Sequence, residues 1–169
     1  MFIGKAMMMA AAASTAAIPS TWQPVSLGDW WIEEAGDSCA MMIPLGRNDS
    51  DELLGAVTLF PRRDGQIILS LTRKDWALPQ ERGNIKIWLG KGYGMLRPLY
   101  DQPADFDPAE GHGVVFTIVD GSFISIASLK SSMDVVIEGA ALGDPQRMTI
   151  PLGNLETGAQ ELDACLAAS

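Results

Sequence analysis

The stretch Gly28-Asp29-Trp30-Trp31-Ile32-Glu33-Glu34-Ala35-Gly36-Asp37-Ser38-Cys39-Ala40-Met41-Met42 reads as two short strands around a tight turn. Trp30 to Glu34 supplies β-forming residues, Ala35-Gly36-Asp37-Ser38 supplies the turn, and Cys39 to Ile43 returns, ending at Pro44. Its cysteine, Cys39, has a single possible partner in the chain, Cys165, four residues from the C-terminus. Two distant cysteines outside a Cys-x-x-Cys arrangement fit neither a redox nor a zinc motif. In an oxidising compartment they pair, and nearly the whole domain then lies inside one covalent loop. The alternative is two buried free thiols.

The rest of the chain agrees with export. Lys5 is the only charge before residue 18, an Ala/Met run follows it, and Ser14-Thr15-Ala16-Ala17 supplies small residues. Those are the parts of a secretory signal. The expected organisation is a cleaved signal over 1–17, a linker over 18–27 and one β-rich domain over 28–169, in the periplasm or secreted. With 47% hydrophobic and 20% charged residues the chain has the material for one real core. No apolar run reaches the roughly 18 residues a membrane-spanning helix needs. A formal charge of −9 repels phosphate backbones and anionic lipid, so neither nucleic acid nor an anionic membrane is an expected partner.

Onward from the first hairpin, Arg47 to Glu52 reads as a solvated loop. Gly55 to Phe60 and Gln66 to Thr72 form a second hairpin around Pro61-Arg62-Arg63-Asp64-Gly65. In its return strand Ile67, Leu69 and Leu71 make one fully apolar face, while Ile68, Ser70 and Thr72 make a mixed one. Asn84 to Leu89, Val114 to Val119, Met133 to Glu138 and Arg147 to Leu152 read as strands, and Met95 to Tyr100 as a further short one. The polar, Pro-rich run Asp101 to His112 reads as a surface loop; Ser122 to Ser132 fits a strand through Ile124, Ile126 and Ser128, but a short helix that Asp120 or Ser122 can cap is the preferred reading. Thr157-Gly158-Ala159-Gln160 has capping-box spacing for a final helix that puts Ala159, Leu162, Cys165 and Leu166 on one face. Strands do not alternate with long helices, so the expected class is mainly β, α+β. The architecture is an antiparallel curled sheet or sandwich of about seven to nine short strands with the C-terminal helix packed on it.

Chemistry is thinly signalled. His112, the only histidine, lies in an acidic run, and no serine occupies a Gly-x-Ser-x-Gly elbow. With 21 acidic residues any carboxylate pair can be drawn, so a small carboxylate-dependent hydrolase is only an alternative. Asp101, Asp105, Asp107 and Glu110 are oxygen donors that suit calcium, but not in EF-hand spacing, and a solvated acidic loop is the simpler reading. Neither a metal nor a cofactor is expected. Trp30 and Trp31 are adjacent in a strand and must face opposite sides. An exposed Trp31, with Trp88 and Tyr93, can stack on a sugar or anchor a protein. The candidate binding residues are therefore Trp31, Trp88, Tyr93, Asp101, Asp105, Asp107, Glu110 and His112.

The signal-like start, Gly28-Asp29-Trp30-Trp31 with its acidic turn and Ser38-Cys39-Ala40-Met41, the many short strands, and Ile150-Pro151-Leu152-Gly153 leading to a helix with Cys165 resemble small exported bacterial envelope proteins. The chain is similar to the invasion-associated locus B type. The resemblance implies a β-rich periplasmic fold, a non-enzymatic role and no catalytic residue. The expected function is an exported envelope domain that binds a protein or glycan partner. A purely structural or assembly protein is the other alternative, and the oligomeric state is left open.

Overall fold

The computed structural model describes residues 21–22, 24–47, 50–74, 76, 78–90, 97–108 and 112–169. The signal-like segment 1–17, and Tyr93 and Glu110 among the candidates, lie outside the described residues. Among those described, eleven strands form one sheet: β1 (Thr21–Trp22), β2 (Val25–Ser26), β3 (Trp31–Ala35), β4 (Ser38–Arg47), β5 (Ser50–Pro61), β6 (Ile67–Arg73), β7 (Glu81–Leu89), β8 (Tyr100–Asp107), β9 (Gly113–Val119), β10 (Ser132–Glu138) and β11 (Gln146–Pro151). Helix α1 (Phe123–Ala127) joins β9 to β10, and α2 (Leu155–Ala168) ends the chain. The order is β1-β11-β10-β7-β8-β9-β6-β5-β4-β2, with β3 also on β4. Every ladder is antiparallel except β1 on β11. β2, at one end of this path, approaches β11 near the other, so the sheet curls into a nearly closed barrel.

This is the expected mainly antiparallel curled sheet with its C-terminal helix, but it has more strands than expected. Three of the differences have physical causes. Thr21–Trp22 and Val25–Ser26, read as linker, pair with β11 and β4. β4 does not stop at Pro44 but continues to Arg47. The carbonyl of Pro44 accepts from Leu27 N–H at 3.1 Å, so in an antiparallel strand its missing N–H also faces β2, where that edge is interrupted. The run Asp101 to His112 is no loop over most of its length. Tyr100–Asp107 is β8, in which Tyr100, Ala104 and Phe106 point inward and Asp101, Asp105 and Asp107 outward. Three apolar residues on one side of the strand, with Gln102 between the first two, suffice for a strand that pairs with β7 along its length. Two smaller differences follow the same logic. Part of the loop read at Arg47 to Glu52 is strand, since β5 already begins at Ser50, and of the strand read at Met95 to Tyr100 the described residues Arg97 to Leu99 lie outside β8, which begins at Tyr100.

The interior is filled from every strand face. Met41, Leu59 and Leu69 form one cross-strand row, and Ile43, Val57, Leu71 and Val115 the next, all essentially without solvent contact. Each such side chain contributes about 1.5–3 kcal/mol by leaving water. Helix α2 packs on β3 and β4. It starts at Leu155, inside the core, rather than at Thr157, so Thr157 and Gln160 lie within the helix and do not cap it. Asn154 takes the N-cap position without a side-chain bond. Burial of Leu155 outweighs the cap, and Glu156 in the first turn suits the helix dipole. The inward seam is Leu155, Gly158 and Leu162, with Cys165 half-buried, while Leu166 faces solvent.

That seam is fitted to the opening hairpin. A Cβ on Gly158 would lie 2.7 Å from Trp30 Cβ, so glycine lets the helix approach the indole. Trp30 is buried, and its Nε1–H donates to Leu152 O at 2.6 Å, tying the segment before β3 to the one before α2. Cys39 and Cys165 are joined in a disulfide with their Cα atoms 6.2 Å apart at a sequence separation of 126. The sulfur pairing expected from the sequence is therefore present.

Candidate functional site

Trp30 and Trp31 face opposite sides, as adjacent strand residues must. Trp31 is 44% exposed on the outer face of β3. Trp88 is 8% exposed, on β7 beside Asp134 of β10, so the two indoles do not make an open aromatic surface together. Asp101 and Asp105 are outward on β8 and already engaged: Asn84 Nδ2 donates to Asp101 Oδ1 at 2.8 Å, and Arg82 Nε lies 3.8 Å from Asp105 Oδ1. Asp107 is exposed at the end of the same strand, and His112 is half-buried just before β9. Side chains two apart along a strand sit nearly 7 Å apart and do not converge on one ion. Among the described residues no group of three or more His, Cys, Asp or Glu could hold a metal.

What the structure does assemble is a divided outer surface. Over β7, β8 and β10 it is laced with charge: Arg82, Lys86, Asp101, Asp105 and Glu138, with Lys86 Nζ 3.2 Å from Glu138 Oε1. Over β4, β5, β6 and β9 it carries no charge from Met42 to Ile118. One cross-strand row runs Trp31, Met42, Thr58, Ser70, Phe116. The next runs Phe60, Ile68, Ile118, in which Phe60 is 39% and Ile118 41% exposed. The row after Thr58 is Pro44, Ala56, Thr72 and Val114. The outward residues Ile68, Ser70 and Thr72 are the mixed face visible in the sequence, and the alternation there was the signal for this surface.

At one margin the face meets a seam. β8 and β9 pair only over Asp105–Asp107, and the ladder parts at Pro103, which has no N–H to give. Side chains fill the gap: Thr117 Oγ1 donates to Pro103 O at 2.9 Å, and Gln102 Nε2 donates to Thr117 Oγ1 and to Ile118 O. Above the seam lies an open groove of about 450 Å³, with Ile68, Phe116 and Ile118 in its floor and Arg62 and Arg82 at its rim.

A second polar cluster is structural. The Tyr100 hydroxyl donates to Asp120 Oδ2 at 3.1 Å, and Asp120 Oδ1 accepts from the backbone N–H and the hydroxyl of Ser122 at the head of α1. Tyr100 also packs against Phe123, with ring centroids 5.9 Å apart. Burial, then the hydrogen bond and charge of Asp120, push the Tyr100 phenol up from 10.0 to about 12. The Ser122 hydroxyl above all holds the Asp120 carboxyl below its ordinary range, against a smaller opposing effect of burial. Neutral Tyr100 therefore contributes stability that is complete below pH 10.0 and is lost as pH rises to about 12. Ionised Asp120 contributes above the usual carboxylate range, and that is lost as pH falls through its depressed value. Ultraviolet difference titration should show one phenol displaced towards 12, absent in Tyr100→Phe. Both tyrosines ionising near pH 10.0 would refute the assignment.

No family model matches the chain, and no curated protein matches it in sequence. In structure it is similar to invasion associated protein B from Bartonella henselae, with a TM-score of 0.61 and 15% identity over 86% of this chain and 99% of the other. At that identity the likeness is one of fold. The resemblance read from the Trp/Cys hairpin and the Cys-bearing final helix holds at that level: the chain has the fold of invasion associated protein B.

Proposed function

We propose that this is an exported, disulfide-clipped envelope domain with a non-enzymatic role, which binds a protein partner on the outer face of β3, β4, β5, β6 and β9. The observation that carries the reading is the uncharged face of β4, β5, β6 and β9, with Phe60 and Ile118 standing exposed on it and Trp31 at its β3 border, where Glu33 shares Trp31's side of the strand. In a chain of net charge −9, a broad stretch of sheet without charge is unlike the remaining surface. Thr58 and Ser70 between these side chains are buried, and exposed apolar side chains grouped on one face mark interaction sites in soluble proteins. An open outer face favours a protein over a glycan, because the partner for an aromatic sandwich, Trp88, is buried. The disulfide supports an oxidising compartment. No described helix is long and apolar enough to cross a membrane.

The test places a photo-crosslinking residue at position 60, 118 or 129 in cells carrying the full chain. Leu129, 82% exposed after α1, is the control away from this face. Discrete adducts are expected from 60 and 118 and not from 129. They should be lost in the Phe60→Glu/Ile118→Glu variant, whose melting should stay close to the parent because both positions are exposed. Well-folded, oxidised protein giving no adduct from 60 or 118 overturns the reading. Intact mass of the periplasmic form checks export separately, by loss of the N-terminal segment and of two hydrogens.

A further inference from the structure

The groove over the β8–β9 seam carries a more specific inference, which rests on the proposed binding face. We infer that it receives an acidic side chain of the protein partner, presented beside bulky apolar residues on an extended segment. The floor is apolar, from Ile68, Phe116 and Ile118, and two of these belong to the exposed row with Phe60. The groove is thus continuous with the face, and one partner can occupy both.

The rim decides the charge. Arg62 and Arg82 line the groove with one carboxylate, Asp105, in a chain with 12 basic and 21 acidic residues. Neither is locked away. Arg82 stands 71% exposed with Asp105 at 3.8 Å, and Arg62 is 40% exposed beside Asp64 at 3.1 Å. Each guanidinium has donors beyond its one ion pair and can accept a second carboxylate, in bidentate geometry where the partner allows it. The seam decides the mode of recognition. Gln102 and Thr117 already satisfy the carbonyls of Pro103 and Ile118, so the floor does not template an added strand. Recognition falls to side chains. The groove's openness decides the class of occupant. A small-molecule site encloses most of its ligand. This groove lies open on a sheet face, and a protein segment brings the remaining walls with it.

The probes are capped synthetic peptides alternating Phe with Glu, and the same peptides with Lys in place of Glu, added to the isotopically labelled, oxidised protein at physiological salt. The Phe/Glu peptide should shift the amide signals of Gln102, Thr117 and Ile118. Its affinity should fall about tenfold in the Arg62→Glu/Arg82→Glu variant, and the Phe/Lys peptide should then be preferred. Both arginines are exposed, so amide signals elsewhere should be unchanged. Shifts confined to Thr58 and Ser70, or equal binding of both peptides, overturn the groove assignment and leave the face standing. So does failure of every peptide to bind while position 60 still crosslinks. Loss of both peptide binding and crosslinking overturns the groove and the face together.

Discussion

Replacing Cys39 and Cys165 together by serine should cost about 4–5 kcal/mol of unfolding free energy, the chain-entropy value for a loop of this length. The bond closes 126 residues of separation, so it restrains the unfolded chain more than any other single contact can. Domains of this size are typically stable by only about 5–15 kcal/mol, so the loss takes a large share of the total. The melting temperature should fall by about 8–20 °C at roughly 2–4 °C per kcal/mol. Urea unfolding of oxidised protein, reduced protein and the double serine variant checks it. The reduced and serine forms should agree. A loss under about 1 kcal/mol would mean that the denatured chain is already compact enough to make the clip redundant.

Trp30→Ala should cost about 3–5 kcal/mol, the usual range for emptying a large buried aromatic site. Two effects add. The indole fills the space between β3 and the Gly158 face of α2, and its N–H satisfies the Leu152 carbonyl at 2.6 Å. Trp30→Phe keeps much of the ring contact and loses the hydrogen bond, so it should cost about 1–2 kcal/mol. Because Trp30 and the disulfide both hold α2 to the opening hairpin, their losses should not sum. A double-mutant cycle should show coupling of about 1 kcal/mol or more. Additive losses would mean that the two attachments act on separate parts of the helix.

The elements legible in the sequence are those whose inward residues are large and regularly spaced. Ile67, Leu69 and Leu71 announced β6, and Ile85 and Ile87 announced β7, because alternation of bulky aliphatics leaves one reading of the strand. β8 was hidden because its inward set is Tyr100, Ala104 and Phe106 among aspartates and a proline, and pairing with β7 supplies the rest. Local propensity there is overridden by tertiary context. The two-residue strands β1 and β2 have too little pattern to be read at all. The start of α2 was misplaced for a related reason: the capping-box spacing is a local signal, whereas the buried Leu155 is a global one.

The candidate site was half legible. Trp31 borders the proposed binding face, and the mixed parity of Ile68 and its neighbours was visible. Which outward residues of β4, β5, β6 and β9 become neighbours depends on register, which no single strand discloses. Arg62 and Arg82 are twenty residues apart in the chain and meet only across the folded sheet.

The split border of β4 bears on a hazard that every strand-rich protein faces. A long, straight, open border is a template for copy-on-copy growth into fibrils. Here β2 and β3 divide that border into short pieces, with Pro44 facing the break, and the outermost piece carries Glu33 and Glu34. Such a border offers little purchase to a neighbour's backbone. The molecule can present its bare flank to a partner without its rim seeding polymerisation.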